Sequence, residues 1–265
     1  MKSRLEIKEA LASAFDALGS VAKRERVETY RLVRTAEFIQ RMGGSFEGKR
    51  VLELGSSLGV NLIGTKQLGA QRAVGLDYFV FPESGSNDFY VAPEAFQTLQ
   101  QAWDTSGVEV IRHNLEDPLP FPDGSFDLVV CNAVIEHVHG IQQLLFHEAF
   151  RVLAPGGHFV FTTPNLASLL KRIRFALGRS PNWDIGDYIA QGKNFTGHVR
   201  EFTVPECTYM LTEAGFKDVH VEAKPGYFKW RWIKMPKKWH VFLFQLLARP
   251  FRTLGDLVYA SGRKP

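Results

Sequence analysis

The sequence predicts an α/β protein whose parallel sheet is covered by helices on both faces. Three observations carry that prediction. Strand-like and helix-like segments alternate from about residue 50 to residue 162. The strand segments are short unbroken apolar runs (Arg50–Leu54, Ala73–Leu76, Val108–Ile111, Phe126–Cys131 and His158–Thr162), the pattern of strands buried on both sides rather than half exposed. Turn signals and amphipathic stretches of helical length separate them.

Taken in order, residues 1–48 read as a helical cap. Leu5, Ile7, Leu11, Phe15 and Leu18 recur at near-helical spacing. Gly19-Ser20 interrupts, and a second helix is expected from about Val21 to Met42, ended by Gly43-Gly44. Residues 49–163 form the core, in which residues 79–90 read as a long loop, with helices over about Pro93–Trp103 and Ile141–Leu153. Pro155-Gly156-Gly157 is expected to turn into the strand at His158. Residues 164–204 are an insertion over the carboxyl ends of the strands, where substrates enter such sheets, and they include a basic amphipathic helix, Leu166–Leu177. Residues 205–265 return to the sheet with a helix starting near Pro205 and strands at Phe216–Glu222 and Leu257–Ser261. A basic, aromatic insertion occupies about 225–250.

The bulk composition excludes several classes. Of the 265 residues, 45% are hydrophobic and 23% charged, as in a globular protein with a sizeable core. The two cysteines, Cys131 and Cys207, lack CxxC spacing, so neither a disulfide framework nor a zinc site is expected, and a reducing, cytoplasmic location is. The first ten residues have no apolar signal-peptide core, and no run approaches the ~20 apolar residues that span a bilayer. The net charge of +4 is concentrated at one end: from Lys224 to Pro265 there are ten Lys and Arg against one acid, Asp256.

The chemistry begins with Glu53-Leu54-Gly55-Ser56-Ser57-Leu58-Gly59, which joins the first strand to a helix. Glycines at a strand's carboxyl end let the backbone approach a ligand, although any nucleotide-binding fold or a plain turn has such a loop. Asp77 ends the second strand. A carboxylate there can accept both ribose hydroxyls of an adenosine, as in NAD or S-adenosylmethionine (SAM), or can simply cap the loop.

Two later segments separate those cofactors: Leu119-Pro120-Phe121-Pro122-Asp123-Gly124-Ser125-Phe126-Asp127 with Glu136-His137 after the next strand, and Leu153-Ala154-Pro155-Gly156-Gly157. Together with the first loop they resemble the class I SAM-dependent methyltransferases, in order and at matching separations from about residue 50 to 163. The resemblance implies a Rossmann-like, mostly parallel seven-stranded sheet with the last strand antiparallel. It also implies SAM as cofactor. Glu53, Gly55, Ser57 and Gly59 would hold the methionine half, with Glu53 near the ammonium. Asp77 would take the ribose, Tyr78 or Phe79 would flank the adenine, and Asn114 and Leu115 would meet it. Asn132 and Ala133 would lie beside the methionine moiety. Two positions depart from the family pattern, Ser57 for the usual Gly and Asn114 for the commoner Asp; they keep open a SAM-binding protein without catalysis.

For the acceptor, His137 and His198 are the candidate general bases, with a loop-shaping role for Glu136-His137 as the alternative and a lid-fixing hydrogen bond for His198. His139 reads as a turn residue. The insertion's start, Thr163-Pro164-Asn165, and its end, Gly197-His198-Val199-Arg200-Glu201-Phe202-Thr203, resemble glycan- and lipopolysaccharide-modifying methyltransferases. That implies a sugar-hydroxyl or lipid-linked glycan acceptor met by Asn165, His198 and Arg200, with a soluble metabolite as the alternative. Arg200 is also expected to pair with a nearby acid. Cys131-Asn132-Ala133-Val134-Ile135-Glu136-His137 lacks the NPPY-type motif of enzymes acting on exocyclic amines of DNA bases, which argues against nucleic acid. The Tyr227–Trp239 run of aromatics, Lys and Arg suits an anionic membrane surface, and hence peripheral attachment at the inner membrane face; RNA, or plain packing on the sheet, fits it too.

Overall fold

The computed structural model describes residues 1–19, 29–78, 93–138, 142–182, 185–191, 197–225, 247 and 250–265. His139, Phe79 and most of the basic aromatic insertion lie outside the described residues.

The strands are β1 (Arg50–Leu54), β2 (Arg72–Asp77), β3 (Glu109–Arg112), β4 (Phe126–Asn132), β5 (Leu153–Pro164), β6 (Lys217–Lys224) and β7 (Leu257–Arg263). The helices are α1 (Arg4–Leu18), α2 (Thr29–Arg41), α3 (Val60–Gln67), α4 (Pro93–Ser106), α5 (Gln142–Val152), α6 (Leu169–Ala176), α7 (Ile185–Gln191) and α8 (Val204–Glu213). One seven-stranded sheet runs β3-β2-β1-β4-β5-β7-β6. β1 to β5 pair in parallel, and β7 lies antiparallel between β5 and β6, as the resemblance implies.

The period-2 alternation of the strands sorts the core into two layers. Val51, Leu128, Val130, Val160 and Tyr259 face a cluster shared with Ile7, Phe15, Phe38, Ile63 and Trp103. Leu52, Leu54, Val129, Cys131, Phe159 and Phe161 face the other, with Phe146, Cys207, Leu211 and Phe216. The amino-terminal helices therefore form part of one covering layer. α1 is started by a capping box in which Ser3 and Glu6 satisfy each other's backbone N–H groups, and α8 by an equivalent box of Thr203 and Glu206. Within the described residues α2 begins at Thr29; the expected start of this helix near Val21 falls in residues 20–28, outside the described set.

One segment corrects the expectation. Leu153-Ala154-Pro155-Gly156-Gly157 is not a turn before β5 but its irregular first half. Leu153 pairs with Phe126, and the register then shifts before Leu128 meets His158. Such a bulge needs glycine: Gly156 sits at φ +78, and a Cβ on Gly157 would lie 2.9 Å from the Ala154 carbonyl.

Asp127 ties β1 to β4. Its carboxylate accepts the Arg50 backbone N–H at 2.9 Å and the guanidinium at 3.2 and 2.9 Å. The Arg50 guanidinium holds the Asp127 carboxyl below its ordinary 3.8. A carboxyl lowered on folding adds stability above its unfolded value, and that stability is lost as pH falls through the folded value. Wild-type stability should thus drop below about pH 4, and Asp127→Asn should cost about 1–2 kcal/mol at pH 7 while flattening that acid limb. Urea melts across pH 2–7 check it; an unaltered acid limb in the variant removes Asp127 as its source.

Candidate cofactor and acceptor site

Strand order reverses between β1 and β4, so the loops at their carboxyl ends flank a crevice, the position at which open α/β sheets bind ligands. The β1 loop is built for close backbone approach. Gly55 has φ +72, and a Cβ there would stand 2.3 Å from Val134 Cγ2. Gly59 has φ +84, and its Cβ would meet the Trp103 indole nitrogen at 2.8 Å, while that indole N–H donates to the Leu58 carbonyl at 2.9 Å. Glu53 is buried, and its Oε1 accepts from Asn61 at 2.8 Å.

Asp77 closes the loop onto β2: its Oδ2 accepts the Ser57 N–H at 2.7 Å. Ser57 stands at φ +48, in the left-handed region that favours glycine. The departure from the family glycine therefore falls on a strained residue. Ser57→Gly should leave stability unchanged or raise it by up to ~1 kcal/mol, relief of ~1–2 kcal/mol of strain offset by greater unfolded-state entropy. A thermal melt checks this; a loss of stability would show that the serine hydroxyl outweighs the backbone strain.

The other predicted cofactor residues fall at neighbouring strand ends. Tyr78 is exposed after β2, with the Arg112 guanidinium 5.6 Å from its ring centre. Asn114 Oδ1 accepts the Glu116 N–H at 3.1 Å in an Asx turn, and the Leu115 side chain enters the core. At the end of β4, the buried Asn132 takes hydrogen bonds on Oδ1 from Thr35 at 3.0 Å and Thr162 at 3.3 Å. Ala133 follows at φ +53. Thr35 lies on α2, so the amino-terminal layer reaches the β4 end directly, a link with no local sequence signal.

Beyond Ala133 the chain meets the end of the insertion. The Glu136 carbonyl accepts the Val199 N–H at 2.7 Å, and His137 Nδ1 lies 3.2 Å from the Gly197 carbonyl. The His137 and His198 rings stack edge to face with centres 5.0 Å apart. His198 Nδ1 pairs with Glu201 Oε1 at 2.7 Å, and Glu201 also pairs with Lys171 of α6. Glu136 is 1% exposed. Its Oε2 accepts from Thr163 at 3.1 Å, and burial pushes its carboxyl up to about 7. Burial, with His137 and Lys171 nearby, takes His198 down to about 4, leaving a neutral imidazole at pH 7. Glu136, Glu201 and Lys171 are members of the cluster that sequence reasoning did not single out as functional. Their sequence signals were adjacency alone: Glu136 stands next to His137, and Glu201 three residues from His198.

Two predicted acceptor residues are not brought into this cluster. Asn165 is fully buried; its amide donates to the Thr253 and Gly255 carbonyls at 2.9 and 2.7 Å, and its Oδ1 accepts the Ala167 N–H. It clamps the start of the insertion to the approach of β7. Arg200 donates to Glu206 at 2.9 Å over the Phe202 ring, the acid pairing that the sequence led us to expect.

Sheet order and the antiparallel β7, with the glycine loop closed by a β2 acid, are those of the class I, Rossmann-like methyltransferase fold. Residues 27–221 match the methyltransferase-domain family, and the chain belongs to it. A probable SAM-dependent methyltransferase of Mycolicibacterium smegmatis is 32% identical over 72% of this chain and 60% of its own length. The ubiquinone biosynthesis O-methyltransferase of Cronobacter sakazakii is 30% identical over 59% of this chain and 58% of its own. The chain thus spans about three fifths of each relative. The crystal structure of a SAM-dependent methyltransferase from Mesorhizobium loti shares the fold, with a TM-score of 0.58 at 21% identity, covering 86% of this chain and 96% of that one.

Proposed function

We propose that this chain transfers the methyl group of SAM to a hydroxyl oxygen on a lipid-borne acceptor, with the sugar of a lipid-linked glycan as the first candidate. The observation that carries this reading is the meeting of His137 and His198 at the end of β4, with the Glu201 carboxylate behind His198. A hydroxyl acceptor must lose a proton, and here titratable groups gather where the fold presents the acceptor.

The β1 loop fits the cofactor. Gly55 and Gly59 leave backbone bare where a Cβ would collide with Val134 or Trp103. The Glu53 carboxylate suits an ammonium and the Asp77 carboxylate a ribose diol; Tyr78, Asn114 and Leu115 border the adenine side, and Asn132 and Ala133 the methionine side. Bound there, SAM supplies an electrophilic methyl on a sulfonium whose departure needs no acid. The protein's share is to align the acceptor, exclude water and help the hydroxyl lose its proton at the Glu136, His137 and His198 cluster.

A lipid-borne acceptor is supported by the insertion's surface. Phe175, Leu177, Ile185 and Ile189 are each about 70% exposed on and around α6 and α7, beside the exposed Arg172, Arg174 and Arg179. Apolar side chains among cations suit an anionic membrane surface. Among the described residues no helix is long and apolar enough to cross a membrane; the proposed attachment is peripheral, through this apolar and basic surface. The name of the Cronobacter relative favours a second reading, a phenolic hydroxyl on a prenylated ring.

The test is product analysis by mass spectrometry with three acceptors: lipid-linked oligosaccharide, a polyprenylated phenol and palmitate. A sugar methyl ether, reduced about 100-fold or more in His137→Ala, supports the first reading. A phenol ether supports the second. Methylation of palmitate alone, or none in any arm, overturns the hydroxyl acceptor.

A further inference from the structure

We propose that Glu136, His137 and His198 form a binding site for a divalent first-row metal ion, zinc by its donor set, whose open position takes the acceptor's hydroxyl oxygen. Each residue offers a ligand atom, and the three atoms lie within 4.8 Å of one another. Two imidazoles and a carboxylate are a donor set used by catalytic zinc, with the fourth position left for water or substrate. Zinc–ligand bonds of about 2.1 Å put tetrahedral ligands roughly 3.4 Å apart, so closing the cluster takes movements of about 1 Å.

Two further observations point to a ligand at this place. Glu136 Oε1 is buried and has no hydrogen-bond partner among the described residues, a costly arrangement for a carboxylate unless something else pairs with it. Each ligand is also held from behind. Thr163 fixes Glu136 Oε2 at 3.1 Å, the Gly197 carbonyl faces His137 Nδ1 at 3.2 Å, and Glu201 faces His198 Nδ1 at 2.7 Å. With Nδ1–H donating in both rings, the lone pair of each imidazole sits on Nε2, the nitrogen a metal takes. This carboxylate–histidine and carbonyl–histidine backing is the outer shell that metal sites use to set tautomer and orientation. Lys171 in turn holds Glu201, so α6 of the insertion belongs to the support.

His198 comes from the end of the insertion and the Glu136-His137 pair from the β4 end, so an ion bound by all three fastens the insertion over the sheet. An acceptor hydroxyl at the fourth position would ionise more readily: its O–H bond breaks, the electron pair stays on the oxygen beside the cation, and the proton leaves to water. The site rests on the protein's own donors. Only its fourth ligand rests on the hydroxyl acceptor proposed above.

The probe is the metal alone. Protein stripped with EDTA and desalted is dialysed against Zn2+, and Co2+ serves as the spectroscopic reporter. One ion per chain is expected, with Co2+ visible bands of four- or five-coordinate N/O geometry. Glu136→Gln and His198→Ala should abolish both signals, while Glu201→Gln should weaken affinity about 10–100-fold. His147→Ala, on the exposed side of α5, should change nothing. Circular dichroism and melting of Glu136→Gln, which keeps the side chain's shape, guard against misfolding. Absence of stoichiometric binding, or binding that survives in both ligand variants, overturns the site. Protein that binds the ion yet methylates no hydroxyl acceptor overturns the proposed function and leaves the site standing.

Discussion

Replacing Asp77 by alanine should weaken SAM binding by about 100-fold or more, the loss expected when a carboxylate's two charge-assisted hydrogen bonds to a ribose diol are removed at ~1.5–3 kcal/mol each. Asp77 also accepts the Ser57 N–H at 2.7 Å, so the alanine variant loosens the β1 loop at the same time. Asp77→Asn separates the two effects. Its amide oxygen can still accept from Ser57 and hold the loop, but the residue has lost its charge and one of its two acceptors. Asn should therefore recover the melting temperature of the wild type while leaving SAM binding at least ten-fold weak. Calorimetry of the three proteins measures this directly. If Asp77→Ala binds SAM as tightly as the wild type, the carboxylate is a loop latch and the ribose lies elsewhere. If Asn restores affinity fully, the loop's shape is what matters.

The sequence was most legible where a feature is local. Unbroken apolar runs gave the β1, β2, β4 and β5 cores within a few residues, because those strands are buried on both faces, and also found β3, a half-exposed edge strand. The glycines of the β1 loop and Asp77 were legible for the same reason: each answers to backbone geometry a few residues away. Legibility failed where one segment meets another. The amide of Asn165 is fixed by carbonyls of Thr253 and Gly255, nearly ninety positions on. Thr35 reaches Asn132 from a different covering layer. The His137 and His198 pairing needed the insertion's end to fold back onto the β4 end, a contact that no periodicity encodes. The LxPGG segment misled for a different reason. Proline and glycine ordinarily mark turns, yet here they let a strand bulge and continue.

The segment Leu119 to Asp127, one of those on which the sequence resemblance rested, is held by the frame of the protein, and Arg151 gives the test. This guanidinium on α5 donates to the Leu119 and Phe121 carbonyls at 3.0 and 2.7 Å, to Asp123 at 2.8 Å and to both oxygens of Glu148 at 2.8 and 2.7 Å. Glu148 in turn accepts the Leu119 N–H at 2.6 Å, and the Arg151 guanidinium holds its carboxyl below the ordinary value. Arg151→Met would fill a similar volume and leave two carbonyls and two carboxylates without this donor. The charged pairs are partly open to solvent, so screening reduces their share. The remaining hydrogen bonds still set a loss of about 3 kcal/mol, or a melting temperature lower by roughly 6–12 °C for a chain of this size. Arg151→Lys keeps the charge but cannot present five donors in a fork, and should recover less than half of that. SAM affinity at a temperature where the variant is folded should match the wild type, because the staple lies behind the sheet's second covering layer and away from the β1 loop. A variant that melts with the wild type would deny the staple its energy. One that folds normally but loses SAM would move this loop from frame to cofactor site.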